Sequence, residues 1–319
     1  MTGYRRGKKS DEARRFVTNN TVRGMEGYGG KMRELTRSAA FSRFVLFFLI
    51  VFASLLPGFD GRSDAADAVE TIRIGGTGSA LASMRLLGEA FQDRHPGIVV
   101  HVFPSLGSGG GIKAVQEGDI DIAVASKKLS PAEKAKGLVA YEYGRTPLVF
   151  VTHKTNPLSD ITLKQVIDIY SGRMMSWPDN TPVRLVRRLA GERATHLLEG
   201  ISEEMKEAVL SAAVRPGLTV AVTDQENADL LEKLPGSFGV APLCQLISEN
   251  RGLKVLSLNG IRPGEKTLAG GSYRYDYDLY LVTGPRSSPA SGLFIDFVFS
   301  KAGQSVLTRT GYVTAARHR

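Results

Sequence analysis

The sequence holds one cysteine in 319 residues, Cys244, so no internal disulfide can form and no cysteine follows the leader to accept a lipid. Cys244 is expected as a small buried hydrophobe. The five histidines, at 95, 101, 153, 196 and 318, fall at no metal-ligand spacing, and no metal site is expected. Nucleotide signatures are missing too. Gly76-Thr77-Gly78-Ser79-Ala80-Leu81 has no third glycine of a dinucleotide fingerprint, and 107–113 lacks the Gly-Lys-Ser/Thr register of a P-loop. No Gly-x-Ser-x-Gly elbow surrounds Ser79 or Ser108, and no histidine is placed to serve either as a base. An enzyme is therefore not expected, and no cofactor is implied. No tandem repeat of fixed period is present.

Positive charge is scarce where it would matter for nucleic acid. The formal net charge is +9, from 41 Lys/Arg against 32 Asp/Glu. Residues 1–43 hold eleven of those bases and four of the acids, leaving 30 bases against 28 acids for the remainder. A nearly neutral body does not support nucleic-acid binding, which needs a basic surface on the folded part.

The basic leader runs into residues 44–59, an uncharged apolar run of 16 residues ending at Pro57-Gly58 and followed by polar Asp60, Arg62, Ser63 and Asp64. A spanning helix needs about 20 apolar residues, so residues 1–68 are expected to be a basic leader and signal peptide for export to the periplasm. Ala66-Asp67-Ala68 offers a cleavage site. The 43 residues before the apolar run are long for a signal, which points to translation starting at Met25 or Met32, or to an uncleaved inner-membrane anchor through 44–59.

From Thr71 onward, short apolar strands alternate with helical stretches, the pattern of parallel βαβ units. Strand 71–76 turns at Gly75-Gly76-Thr77-Gly78-Ser79 into a helix with apolar Leu81, Met84, Leu87 and Phe91. Strand 98–103 turns through 105–111 into a short helix closed by Gly118, and 119–126 is a third strand. Strand 147–152 then starts a second series. Thr162 and Gln165 have capping-box spacing ahead of a helix ending at Gly172; 183–187, 218–223, 237–242, 253–258 and 277–283 read as strands; 202–213, 224–234 and 294–307 read as helices. The fold class is α/β, with length enough for two lobes.

Two Gly/Ser-rich loops share one geometry, each leaving a strand and opening a helix. Unpaired amides at such N-termini, with the helix dipole, favour an anion, and consecutive loops of this kind converge on one crevice. The alternative is a pair of tight βα turns. Arg184, Arg187, Arg188 and Arg193 cluster around the loop after strand 183–187, where guanidinium forks would meet an oxyanion or form a solvated basic turn. Tyr273, Tyr275, Tyr277 and Tyr280 read mainly as sheet packing, with one near the cleft able to touch ligand.

With the runs GGTGSA, SGGGIKAVQEGDIDIAVAS, TLKQVIDIYSGRMMSW, GSFGVAP and FIDFVFSKAGQSVLTRTGYV, the chain resembles the periplasmic solute-binding proteins of ABC importers, in the branch similar to phosphate-binding proteins. The resemblance covers nearly all of 71–314. It implies the two-lobed type II fold, each lobe a sheet flanked by helices, with lobe 1 formed by 69–150 plus 250–319, lobe 2 by 151–249 and the ligand cleft between them. It implies a small oxyanion ligand, phosphate or similar, and an ABC permease in the inner membrane as partner. Carried across residue by residue, Thr77, Gly78 and Ser79 match the first ligand loop, Ser108, Gly109 and Gly110 the second, and Ser126 the serine after the third strand. Arg188, Arg193 and Thr195 stand where the second lobe would close.

Three positions depart from the branch. Lys127 stands where an aspartate often accepts a proton from bound phosphate. Arg188 is followed by Leu-Ala-Gly-Glu-Arg-Ala-Thr where relatives carry Ser-Gly-Thr shortly after the arginine. Glu192 would repel an anion unless Arg188 or Arg193 compensates. These departures keep open a second expectation, a sensing or scaffold module with a diverged ligand site.

Overall fold

The computed structural model describes residues 69–317; the expected leader, signal and anchor lie outside the described residues. In chain order, β1 (Glu70–Gly76), α1 (Gly78–Gln92), β2 (Ile98–Val102), α2 (Gly107–Glu117) and β3 (Ile122–Ala125) form the βαβαβ unit expected from the sequence, followed by a short α3 (Pro131–Ala135). The chain continues through β4 (Val139–His153), β5 (Asp160–Ile161), α4 (Leu163–Ser171), β6 (Arg184–Arg188), α5 (Arg193–Glu199), α6 (Glu203–Val214), β7 (Thr219–Ala221), α7 (Asp224–Lys233), β8 (Ser237–Pro242) and α8 (Leu243–Ser248). It ends with β9 (Leu253–Val255), β10 (Ser257–Leu258), α9 (Glu265–Ala269), β11 (Asp276–Thr283), α10 (Pro289–Phe299), α11 (Lys301–Arg309) and β12 (Val313–Thr314).

Local chemistry sets several of these boundaries. Thr162 Oγ1 accepts the Gln165 N–H at 3.2 Å while Gln165 Oε1 accepts the Thr162 N–H at 2.9 Å, and Gly172 closes α4 at φ +81°, so both ends match the sequence signals. Ser202 caps α6 by accepting the Met205 N–H at 3.1 Å.

The main sheet runs β2-β1-β3-β11-β4-β8-β6-β7. β4 joins its halves: residues 139–147 pair with β11 and residues 148–152 with β8, both antiparallel. In the first lobe both sheet faces are buried. Ile72, Ile74, Ile122 and Val124 point into a core under α1, α10 and α11, while Ala123 and Ala125 meet Ile112 and Val115 of α2. The second lobe repeats this division, with Leu148, Phe150, Phe238 and Val240 against α4 and α6, and Val149, Val151, Val186 and Ala241 against Leu231 of α7.

The structure corrects three expectations. Leu256, Leu258, Tyr273 and Tyr277 belong to the core that contains Phe150 and Trp177 of the second lobe. β9 pairs with residues 151–153 of β4 and β10 with β5. That same change of partner splits the strand read at 253–258. The closing helix at 294–307 breaks at Ser300, which is extended at ψ 163° and accepts the Gly303 N–H at 3.3 Å, capping α11. β4 begins at Val139, eight residues before the expected strand.

Candidate functional site

The first wall of the cleft is built by glycine. Gly76 sits at φ +135° directly against the Val124 backbone, where a side chain has no room, and this contact brings Thr77 to the end of β3, its N–H donating to Val124 O at 2.8 Å. Gly111 of α2 packs onto Gly76, where a Cβ would lie 2.7 Å from the Gly76 Cα. The two helix N-termini are therefore drawn together, as expected of consecutive loops. Gly109, with open space around its Cα, faces the cleft.

The hydroxyls on this wall are already linked. Thr77 Oγ1 lies 3.0 Å from Ser79 Oγ, Ser108 Oγ accepts the Ser126 N–H at 3.0 Å, and the Ser108 and Ser126 hydroxyls are 3.1 Å apart. Lys127 Nζ pairs with Glu133 at 3.0 Å, so the cation that replaces the branch's aspartate is neutralised within its own lobe.

A cleft of about 670 Å³ separates this wall from the second lobe, with Thr77, Ser108, Gly109, Ser126 and Lys127 on one side and Arg188, Glu192, Arg193 and Asp224 on the other. Arg188 closes β6 and is 6% exposed. Its Nη1 donates to Ala221 O at 3.0 Å; its Nη2 lies 3.2 Å from both Glu192 Oε2 and Asp224 Oδ1. Of the two arginines able to compensate Glu192, Arg188 is the one that pairs with it. Arg193 turns to Asp278 of β11 at 3.7 Å, an ion pair that links the two lobes.

Asp224 was not singled out from the sequence. Its Oδ2 accepts the Ser79 N–H at 2.8 Å across the cleft, and next to it Gln225 Nε2 donates to Gly78 O at 2.9 Å. Burial pushes the Asp224 carboxyl above the usual carboxylate range, and Glu192 and Glu249 add to this, against the pull of Arg188 and the Ser79 amide. The signal was legible in kind: Thr223-Asp224 opens a helix directly after β7, the arrangement used to find the two loops of the first lobe.

Of the residues expected to meet ligand, Thr77, Ser108, Gly109, Ser126, Arg188 and Arg193 line the cleft. Gly78 and Ser79 lie against Asp224 and Gln225 instead. Gly110 packs beside Leu106. Thr195 is buried in the first turn of α5, its hydroxyl donating to Leu189 O at 2.8 Å, and it lines a small pocket with Tyr170 and Val209. Two arginines of the expected cluster also leave the site, Arg184 donating to Pro235 O and Arg187 to Ala213 O at 3.2 Å. Tyr273 is sheet packing, its hydroxyl donating to Leu148 O at 2.6 Å.

Two α/β lobes joined through the shared strand β4 face each other across a polar cleft, the architecture expected of a solute-binding protein. The PBP superfamily domain matches residues 62–302, more than half of the chain, and the chain belongs to that family. It is 32% identical over 106 residues to the phosphate-binding protein PstS 2 of Streptococcus agalactiae, covering 33% of this chain and 36% of that protein, so the match spans about a third of this relative's length. Against the phosphate-binding protein PstS of Borreliella burgdorferi it is 24% identical over 226 residues, 66% of this chain and 78% of that one. In fold it is similar to a substrate-binding protein assigned to a phosphate ABC transporter of Clostridium perfringens and solved with bound phosphate, with a TM-score of 0.65 and 23% identity over 77% of this chain and 100% of that chain.

Proposed function

We propose that the chain is a periplasmic receptor that holds a small oxyanion, phosphate before other tetrahedral anions, and delivers it to an ABC permease in the inner membrane without chemistry of its own. One observation carries the reading: the N-termini of two adjacent helices, at Thr77 and at Ser108 and Gly109, border the same cleft that Arg188 and Arg193 line from the opposite lobe. Thr77, Ser108, Gly109 and Ser126 are the ligand contacts on the first wall, with Arg188 and Arg193 on the second. The names of the relatives support phosphate as the ligand. The carboxylates already seated on Arg188 support a second reading, a sensing or scaffold module, membrane-anchored or periplasmic, with a diverged ligand site.

A thermal-shift panel of phosphate, sulfate, molybdate, phosphonates and small carboxylates on the exported protein tests the first reading. Ligand at a thousand times its dissociation constant stabilises by about 4 kcal/mol. A flat panel removes the receptor reading for these ligands. Retention of residues 1–60 in the exported protein, read by intact mass, favours the anchored module.

A further inference from the structure

Asp224 occupies donors from both sides of the cleft. Its two carboxylate oxygens take one donor from each lobe, the Ser79 N–H at 2.8 Å in the first turn of α1 and the Arg188 guanidinium at 3.2 Å. Both donors are of the kind that recognises an oxyanion: a backbone amide at a helix N-terminus and a buried arginine fork. The aspartate is at the first position of α7, with the Thr223 hydroxyl accepting the Glu226 N–H at 3.0 Å, so the backbone that carries it is fixed. Gln225 anchors the same spot by donating to Gly78 O at 2.9 Å and to Glu249 Oε1 at 2.9 Å. A Cβ on Gly78 would lie 2.6 Å from Gln225 Oε1 and 3.0 Å from Asp224 Oδ2, so glycine at this position gives both side chains room to approach α1.

We infer that Asp224 is a built-in competitor of the ligand: its carboxylate bridges Ser79 and Arg188, holds the lobes together without ligand, and sets how tightly an oxyanion binds. The proposal rests on the oxyanion reading for its affinity half and on geometry alone for its closure half. An oxyanion entering the cleft gains the Ser108, Gly109 and Ser126 wall at once. It gains Ser79 and Arg188 only by turning Asp224 away, and it faces the repulsion of that carboxylate until it does. Affinity is thereby lowered, and ligands of higher negative charge are penalised more than monoanions.

The experiment compares wild type, Asp224→Asn, Asp224→Ala and Asp224→Glu in the full chain. The first readout needs no ligand: spin labels on cysteines placed at Lys136 and Val214, one exposed position in each lobe, report the distance across the cleft while buried Cys244 stays unlabelled. Asp224→Ala is expected to broaden that distance distribution relative to ligand-free wild type, and an unchanged distribution overturns the closure half. The second readout is calorimetric titration with inorganic phosphate. Asp224→Asn keeps the shape and an acceptor but loses the charge, and is expected to bind phosphate about tenfold more tightly, the scale of one charge-assisted hydrogen bond released to the ligand. Asp224→Glu, which keeps the charge, stays near wild type. Equal or weaker binding by Asp224→Asn overturns the competitor role. If no variant binds phosphate while Asp224→Ala still loosens the lobes, the oxyanion reading fails and the latch stands.

Discussion

Gly111 in the first turns of α2 rests on Gly76 at the end of β1, close enough that a Cβ on Gly111 would lie 2.7 Å from the Gly76 Cα and 3.3 Å from its nitrogen. Two glycines from motifs 35 residues apart thus form one contact, and it sets the spacing of the two loops that line the cleft. Gly111→Ala forces backbone against backbone, where no side chain can yield. The expected cost is about 2–3 kcal/mol of stability, with phosphate affinity reduced as the Ser108 loop is displaced. Urea denaturation together with titration checks both, and an unchanged midpoint would show that the loops tolerate separation.

Asp121 is the polar centre of the first lobe. Its carboxylate accepts the Arg73 N–H at 2.8 Å, Arg73 Nε at 2.9 Å and the Ser288 N–H at 3.1 Å, tying β1 and β3 to the start of α10. Burial would raise this carboxyl, but the Arg73 and Ser288 hydrogen bonds outweigh it and hold it below the usual range. Its stabilising contribution is therefore complete above the unfolded value of about 4 and is lost as the pH falls through the lower folded value. Asp121→Ala is expected to cost about 2–3 kcal/mol at pH 7, toward the lower end for a buried pair because Arg73 is partly in water. In denaturation series across pH, the gap between variant and wild type should narrow in acid.

Ser108→Asp puts a like charge at the cleft wall without disturbing the fold, since a carboxylate can still accept the Ser126 N–H. Repulsion at 4 Å is on the order of 4 kcal/mol for an effective dielectric of 20. Phosphate binding should become undetectable by titration while the melting temperature of the ligand-free protein stays close to wild type. Retained affinity would take this loop out of the site.

Cys244 packs in the first lobe's core, and burial pushes its thiol up to about 12. A thiolate is the reactive form, so alkylating reagents at neutral pH should leave the folded protein unmodified and label it stoichiometrically in denaturant. Rapid labelling of the native chain would mean that α8 detaches from α1 in solution.

The βαβαβ unit was readable because its apolar spacing, its glycines and its helix stops all agree, and because parallel strands buried on both faces advertise themselves as unbroken apolar runs. The first half of β4 was not. Residues 139–147 mix Glu142, Gly144 and Arg145 with tyrosines, and their pairing with β11 is a long-range fact that no local pattern carries. The cleft was legible by halves for a similar reason. Loops that follow a strand and open a helix announce their donors, and Ser108, Ser126 and Arg188 line the cleft. Thr195 packs inward because α5 begins at Arg193 and its next two residues, Ala194 and Thr195, are buried. Asp224 stayed hidden because an acid in the first turn of a helix is ordinary dipole chemistry; only the fold brings Ser79, 145 residues earlier, to within hydrogen-bonding reach.

The continuity of β4 has a mechanical consequence. Pro147 is its last residue paired with β11 and Leu148 its first paired with β8, with no loop between them. Any widening of the cleft must therefore twist a hydrogen-bonded strand and not merely swing a slack tether. A joint of this kind is stiffer than a loop would be, and the angle between the lobes is set by the same ladder that holds each sheet together.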